Sequence, residues 1–369
     1  MKIIWSYKTS EQLLGLNLGT IKKKGTQVFS YSRSGKIFLF SLDGKLQFEA
    51  VCTDDTPIWN LKIHDVNSDG EPELIIGGMD GILRVFQILV PFSLTLLWEH
   101  KFDSSISGFL FEDINFDKNL ELIAYSLDNS IRVLQASNGL LIWGQVFANG
   151  IEDACIWNDN KITNKKEIIA CGNDGTIRIF ESSKGDLLWI KHFSNKIRCI
   201  SYLTSKENDF IVCGGDDKII HIINKKTQKE IKNIHFKDYI WKCYSLPIFH
   251  YKKLLISSYS FSFFNQVKNV QDLNFSSKLI CINNDLEIEW ELKNANVECL
   301  CQININEQKI IGIGTTKGEL LILNLDNGEI LFKIKNQSSL NDLIYEPNSN
   351  LLISCHENGQ LYAYSFDFK

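Results

Sequence analysis

Residues 168–193, IIACGNDGTIRIFESSKGDLLWIKHF, contain the unit that decides the fold of this chain. Two apolar runs flank the pair Asp174-Gly175, and a further apolar run carries Trp189. Glycine adopts a positive φ at little steric cost, so an Asp-Gly pair between apolar runs predicts a tight β-hairpin turn. The stretch therefore predicts three successive antiparallel strands.

The same frame recurs along the chain, which is the signature of a repeat protein. Its turns are centred on Gly35, Gly81, Asn129, Gly175, Asp217, Gly318 and Gly359. An eighth copy is split by an insertion, residues 260–277, which separates LLISSYS (from Leu254) from KLICINN (from Lys278). Each copy predicts the middle two strands of one repeated unit.

When the eight copies are aligned, two positions before each hairpin show a recurring residue type. We call these positions columns, and they predict one more strand in each unit. The first column is aliphatic: Leu13, Ile58, Ile106, Ile151, Ile197, Ile240, Val297 and Leu340. The second, two positions later, is mostly small or polar: Gly15, Asn60, Gly108, Asp153, Cys199, Lys242, Cys299 and Asp342. This alignment predicts a first strand in each of eight four-stranded units.

The last unit lacks a fourth strand, and the N-terminal residues supply one. Residues 1–8, MKIIWSYK, match the fourth strand of a unit, whereas the copy around Gly359 has no fourth strand after it. We therefore predict an all-β fold, a single eight-bladed β-propeller of four-stranded antiparallel blades that the N-terminal strand closes. Seven blades are the alternative, because the copy around Tyr259 is irregular.

The whole chain, 1–369, is predicted to be a single propeller domain. Its blades are expected at about 9–50, 57–102, 105–147, 150–193, 196–236, 239–293, 296–335, and 339–369 plus 1–8.

These repeats resemble the blades of the quinoprotein-like and WD-repeat propeller superfamilies. SNGLLIW and SKGDLLW are similar to the Gly-x-x-x-Trp core of the quinone-type repeat, and DVNSDGEPELIIGG, residues 65–78, looks like an FG-GAP-type repeat. The resemblance implies that Trp98, Trp143 and Trp189 pack between neighbouring blades.

The charge and the hydrophobic pattern of the chain argue against nucleic acid and the membrane interior as partners. A net charge of −5 with only short basic tracts argues against nucleic acid, whose affinity comes from clustered Lys and Arg. The longest apolar stretch, residues 88–98, is too short and interrupted to span a bilayer, and residues 1–12 lack the apolar core of a secretion signal. Ten scattered cysteines suit a reduced, cytoplasmic protein without membrane insertion.

A calcium loop is the one metal site that the sequence suggests. Asp65, Asn67, Asp69 and Glu73 alternate around Gly70, as oxygen ligands do in calcium loops. A second copy, Asp113, Asn115, Asp117 and Glu121, has Lys118 in place of the glycine. The alternative is an Asx-rich turn without metal. We predict no cofactor, with calcium left open.

Partner-binding residues are predicted on the face that carries the insertion. Trp59, Glu152, Arg198 and Trp241 each follow the aliphatic column by one residue. Phe261, Phe263 and Phe264 lie in the insertion, where apolar side chains need a partner or an internal cover. Packing of the tryptophans on adjacent blades, and of the insertion on its own blade, are the alternatives.

No catalytic arrangement stands out. The seven His are dispersed, and no Cys-Cys pair accompanies the quinone-type spacing. We predict a non-enzymatic protein–protein interaction scaffold, a subunit of a larger assembly. A calcium-dependent adhesion or carbohydrate-binding propeller is the alternative, and a quinone-dependent dehydrogenase-like enzyme is the third.

Overall fold

The computed structural model describes residues 1–22, 24–158, 165–205, 207–246, 253–260, 276–305 and 308–366. Within these residues, 32 strands form eight antiparallel four-stranded sheets. The predicted eight-bladed propeller is confirmed, and the seven-bladed alternative is wrong. In the same part of the chain, no helix has the length and apolar character that crossing a bilayer requires.

The strands follow the predicted frame. Blades 1 to 4 comprise β2 (Leu13–Ile21), β3 (Gly25–Ser32), β4 (Lys36–Ser41), β5 (Leu46–Val51); β6 (Ile58–His64), β7 (Glu73–Gly78), β8 (Ile82–Leu89), β9 (Ser93–Lys101); β10 (Ile106–Glu112), β11 (Glu121–Ser126), β12 (Ser130–Gln135), β13 (Leu141–Val146); β14 (Ile151–Asn158), β15 (Lys166–Gly172), β16 (Thr176–Glu181), β17 (Leu187–His192). Blades 5 to 8 comprise β18 (Ile197–Thr204), β19 (Asp209–Gly215), β20 (Ile219–Asn224), β21 (Glu230–His235); β22 (Tyr239–Ser245), β23 (Lys253–Tyr259), β24 (Lys278–Asn283), β25 (Ile288–Lys293); β26 (Val297–Ile305), β27 (Gln308–Thr315), β28 (Glu319–Asn324), β29 (Ile330–Lys335); β30 (Leu340–Glu346), β31 (Leu351–His356), β32 (Gln360–Ser365) and β1 (Lys2–Lys8).

The eighth blade joins the two ends of the chain. Its strand order is β30-β31-β32-β1, whereas the other blades follow chain order without interruption. Strand β1 pairs antiparallel with β32, from Lys2 opposite Ser365 to Lys8 opposite Gln360. The predicted closure by the N-terminal strand is therefore confirmed.

First strands of neighbouring blades contact one another at most junctions around the centre of the ring, which makes them its innermost strands. The turns between second and third strands lie beside the connections that enter the first strands. In blade 4, for example, the Asn173 N–H donates to the Gly150 carbonyl over 2.7 Å. We call the face with these turns the upper face; the face with the first-to-second-strand loops is the lower face.

The hydrophobic core lies between the blades. Eight clusters of buried side chains each combine residues of two neighbouring blades, one cluster for each junction. Second strands such as β7, β11 and β31 are buried along their whole length because a blade covers each side. Burial of this apolar surface is the main force holding the ring together.

Tryptophans on outer strands fasten one blade to the next. The indole N–H of Trp98 donates to the Ala136 carbonyl over 3.1 Å, and both residues are buried. Trp5, in the closing strand, donates to the Leu42 carbonyl of blade 1 over 2.8 Å. The predicted packing role is confirmed for Trp98, and Trp189 is partly buried at the junction of blades 4 and 5.

Candidate functional site

Every first strand carries a bulge at one equivalent position near the upper face. The register against the second strand shifts there in all eight blades, for example between Ile151 and Asp153. A bulge bends the strand locally and re-aims the side chain at the extra residue. The bulge positions are Leu14, Trp59, Ser107, Glu152, Arg198, Trp241, Glu298 and Asn341. All four non-insertion residues predicted to bind a partner are among them.

Arg198 and Trp241 meet across the junction of blades 5 and 6. The guanidinium carbon of Arg198 lies 5.6 Å from the centroid of the Trp241 ring, within the range of a cation–π contact. The Arg198 guanidinium also donates to both carboxylate oxygens of Asp216. This bidentate pair restricts the orientation of the guanidinium beside the indole.

The contact continues into blade 7. The rings of Trp241 and Tyr259 are 5.3 Å apart between centroids, at an interplanar angle of 40°. The Tyr259 hydroxyl donates to Glu298 Oε1 over 2.9 Å. Together these residues form what we call the rim cluster: Arg198, Asp216, Trp241, Tyr259 and Glu298.

Burial raises the pKa of Glu298, and the hydrogen bond from Tyr259 partly offsets this effect. Burial also raises the pKa of Tyr259, with a further contribution from the Glu298 charge. The tyrosine therefore keeps its proton at neutral pH and remains a hydrogen-bond donor. The rim cluster offers aromatic faces, one guanidinium and a shielded carboxyl group, which suits binding of a polypeptide better than proton transfer.

The rim cluster adjoins both described ends of the insertion. The Ser260 N–H donates to Asn296 Oδ1 over 3.1 Å, directly after Tyr259 in the chain. At the other end, the Ser276 hydroxyl donates to Asp238 over 2.6 Å. Phe261, Phe263 and Phe264 lie outside the described residues, so their predicted role stays a prediction.

The remaining predicted residues occupy other sectors of the upper face. Glu152 is in blade 4, beside the blade that carries Arg198. Trp59 is in blade 2, four blades from Trp241 and hence across the ring; 39% of its surface is exposed. The structure therefore brings Arg198 and Trp241 together, places Glu152 nearby and separates Trp59 from them.

Asp216 and Tyr259 were missed by the sequence reasoning. Each lies at or next to the end of a second strand, beside the bulge of a first strand. The hairpin frame aligns these positions with residues of no common type, so the alignment carried no signal for them: Arg33, Met79, Leu127, Asn173, Thr316 and Glu357. The contacts themselves depend on which blades are neighbours, which the alignment predicts only once the ring is closed.

An inner ring of side chains links each first strand to its neighbour. Asp342 accepts the Leu16 N–H over 2.8 Å, and Asp153 accepts the Ile200 N–H over 3.0 Å. Side-chain bonds to backbone carbonyls serve five further junctions: Asn17 to Leu61, Asn60 to Ser107, Ser107 to Ile151, Lys242 to Glu298, and the Cys299 thiol to Leu340. Much of the predicted polar column is thus structural.

The inner-ring carboxyl groups are held away from bulk water. Burial raises the pKa of Asp153 to about 7, although the N–H groups of Ile200 and Ala154 lower it. Burial likewise raises the pKa of Asp342 to about 6. Both shifts bring the protonation of these carboxyl groups closer to neutral pH than that of an ordinary aspartate.

The calcium-like loop lies on the lower face, away from the rim cluster. Asp65 accepts the N–H groups of Asp69 and Gly70, at 3.2 and 2.9 Å. Glu73 is buried and accepts the Val66 N–H over 3.0 Å. Burial raises the Glu73 pKa to about 6, and the charges of Asp69 and Asp65 add to that rise.

The second loop repeats this arrangement. Asp113 accepts the N–H groups of Asp117 and Lys118. Lys118 has a positive φ of 71°, as Gly70 does in the first copy at 84°. The ammonium group of Lys166 lies 2.7 Å from Glu112 beside it. Across the described part of the chain, no three carboxylate, thiol or imidazole groups are spaced to hold a metal ion. Calcium binding stays a prediction.

Comparisons with known proteins agree with this fold. A family model for the lambda-carrageenase beta-propeller domain matches residues 149–253, less than half of the chain. No curated protein matches the sequence. The solved structures that resemble the chain share little sequence with it, so their similarity concerns the fold alone.

Three solved structures illustrate the likeness. Saccharomyces cerevisiae Sqt1 superposes with a TM-score of 0.76 at 12% identity, over 98% of both chains. Chaetomium thermophilum Sqt1, bound to the N-terminus of the ribosomal protein L10, gives 0.76 at 12% over 99% of both. Moraxella catarrhalis BamB gives 0.65 at 15% over 99% of both. The resemblance to β-propellers is confirmed.

Proposed function

We propose that this chain is a non-catalytic, cytoplasmic scaffold that binds a protein segment at the rim cluster and the insertion of residues 260–277. It would act as a subunit of a larger assembly. The observation that carries the proposal is the contact of Arg198 with Trp241, in the rim cluster that adjoins the described ends of the insertion. Arg, Trp and Tyr are the side chains most enriched at the energetic centres of protein interfaces.

Arg198 differs from the arginines that repeat around the upper face. Arg132 and Arg178 bind the turn aspartates Asp128 and Asp174, four residues earlier, and lie on phenylalanines of the preceding blade. They belong to third strands and recur with the repeat. Arg198 lies on a first-strand bulge instead, a position at which the other seven blades have no arginine.

Sqt1 supports the proposal by analogy. A propeller of the same extent as this chain binds the N-terminus of another protein. A rigid ring presents loops in fixed positions, and binding residues are frequently found on such loops. The net charge of −5 also favours protein over nucleic acid as the partner.

Affinity purification from the native cells tests the proposal. We expect proteins recovered with the full-length chain to be depleted at least about tenfold by Trp241→Ala, as loss of an interface hot spot implies. Deletion of residues 261–275 should have the same effect. Trp59→Ala is the matched control, because it removes the equivalent bulge tryptophan across the ring and should leave recovery unchanged.

Two outcomes would contradict the proposal. Partners retained by both Trp241→Ala and the deletion variant would place binding elsewhere. Partners lost equally from Trp59→Ala and Trp241→Ala would indicate that the partner covers the centre of the ring. The melting temperature of each variant must match that of the parent chain, so that loss of binding is not loss of folding.

Glycan binding is a second candidate function, favoured by the match of residues 149–253 to the lambda-carrageenase propeller domain. That region includes blades 4 and 5 and the Arg198–Trp241 contact, and the exposed part of this half-buried indole, beside an arginine, could contact a sugar ring. Retardation of the chain in gels containing lambda-carrageenan, relieved by Trp241→Ala, would favour this candidate over protein binding.

A further inference from the structure

One blade junction is closed differently from the other seven. At seven junctions an inner-ring side chain bonds to a backbone atom of the next blade. At the junction of blades 5 and 6, the Cys199 sulfur faces the Cys243 sulfur at 3.1 Å. Cys199 lies at the same position as Asp153 and Asp342, whose carboxylates accept a backbone N–H from the next blade.

The two thiols lie on neighbouring first strands, β18 and β22, which contact each other along the inner edge of the ring. Cys199 is buried, with 2% of its surface exposed, whereas Cys243 is partly exposed. A disulfide requires a sulfur–sulfur distance of about 2.05 Å, so the sulfurs need to approach by about 1 Å.

We propose that Cys199 and Cys243 form a reversible interblade disulfide when the protein meets a low-molecular-weight disulfide such as oxidised glutathione. Cys243, the less buried of the two residues, attacks first, giving a mixed disulfide and releasing one reduced glutathione. Cys199 then attacks the Cys243 sulfur and releases the second glutathione. Two protein thiols are oxidised and one glutathione disulfide is reduced to two thiols, so atoms and electrons balance.

The surroundings of the two thiols favour formation of the disulfide over a lasting glutathione adduct. The contact with Cys199 and burial raise the pKa of Cys243, which keeps Cys243 as a thiol and slows the first attack. Once the mixed disulfide forms, the second thiol is already in contact with the reacting sulfur. Closure by a neighbour held in place is far faster than a second encounter in solution. A lasting adduct with glutathione is therefore not expected.

The bond would tie together the two strands that carry the Arg198–Trp241 contact. Cys199 follows Arg198 directly, and Cys243 follows Trp241 by two residues. The linked residues are 44 positions apart, so the disulfide would close a long loop and restrict the unfolded chain. The chemistry of the pair is independent of partner binding at the rim cluster.

Peptide mapping of the full chain tests the inference. The folded protein is incubated with oxidised glutathione, remaining thiols are blocked with N-ethylmaleimide, and the chain is digested with trypsin. We expect the peptides that begin at Cys199 and Cys243 to appear as one linked species that dithiothreitol separates. Cys299→Ser, at the equivalent inner-ring position of blade 7, is the matched control and should leave the link intact.

Thermal unfolding supplies a second readout. The oxidised chain should melt at a higher temperature than the reduced chain, and the difference should vanish in Cys243→Ser, or in Cys199→Ala if the serine variant fails to fold. Absence of the 199–243 species in folded protein would overturn the inference. Linkage of either residue to Cys213 instead, or a lower melting temperature after oxidation, would overturn it equally.

Discussion

Trp143 of blade 3 lies over Gly185 of blade 4 and donates its indole N–H to the Ser182 carbonyl over 2.9 Å. A Cβ at Gly185 would stand 2.6 Å from the indole ring, and the residue has a φ of +76°. Trp98, Trp290 and Trp5 cover glycines of the next blade in the same way. At each of these glycines, a tryptophan of the preceding blade therefore packs directly against the backbone.

Gly185→Ala should destabilise the ring by more than backbone strain alone. Strain at positive φ costs about 1–3 kcal/mol, and displacement of the indole adds to it. Gly25→Ala is the matched control, because Gly25 has a φ of +72° but nothing within 4 Å of its Cβ position. Thermal unfolding of both variants measures the difference, and equal losses would show that the tryptophan contact contributes nothing.

Arg178→Ala should lower the melting temperature more than Arg198→Ala. Both arginines link two blades, but the Arg178 guanidinium carbon lies 4.0 Å from the Phe147 centroid, whereas that of Arg198 lies 5.6 Å from the Trp241 centroid. Loss of Arg178 therefore removes the closer contact, together with the 3.0 Å ion pair to Asp174. Charge-assisted hydrogen bonds and cation–π contacts of this kind are worth about 1–3 kcal/mol together. Differential scanning calorimetry provides the measurement. A larger loss from Arg198→Ala would assign Arg198 a structural role instead.

Stability should fall as the pH rises from about 4 to about 7, in part because of Asp153. Its pKa is raised in the folded chain to about 7 from the ordinary 3.8, so the folded state binds the proton more tightly in that window. Deprotonation on raising the pH then favours unfolding. Melting curves of the parent chain and Asp153→Asn should converge or cross as the pH increases; parallel curves would contradict the assignment.

Micromolar calcium should leave the melting temperature unchanged. Asp65 and Glu73 already accept N–H groups of their own loop, and open loop sites of this type bind calcium at about 10⁻⁴–10⁻³ M. The measurement is a thermal shift titration against a chelator. Stabilisation at micromolar calcium that Asp65→Asn abolishes and Asp113→Asn preserves would establish a tight site in the first loop.

Much of the architecture was predictable because it repeats. Hairpin turns and the aliphatic column recur in every blade, so local turn chemistry alone indicates the strands, and the unmatched strand of residues 1–8 indicates closure. The number of blades stayed open between seven and eight, because the insertion separates the two strands of the hairpin around Tyr259. The pairing of β23 with β24 resolves it.

The site was less predictable because it depends on non-repeating contacts. Trp59 and Trp241 occupy equivalent positions, yet only Trp241 has an arginine from the neighbouring blade on its ring. A single-residue bulge aims both side chains, and bulges follow from pairing register rather than from local composition. The approach of Cys199 to Cys243 likewise needs the two strands side by side.

Closure of the eighth blade has a consequence for the order in which the chain can fold. Strand β1 is synthesised before every other strand, but its partner β32 lies about 360 positions later. At about 5–20 residues per second, that interval lasts roughly 20–70 s. During this interval β1 has no strand to pair with, so the blade that contains Trp5 is incomplete. Ile3 and Ile4, which are half exposed even in the finished ring, stay on this unpaired strand. An unpaired strand edge can pair with another chain, so the nascent protein is prone to aggregation until β1 pairs with β32.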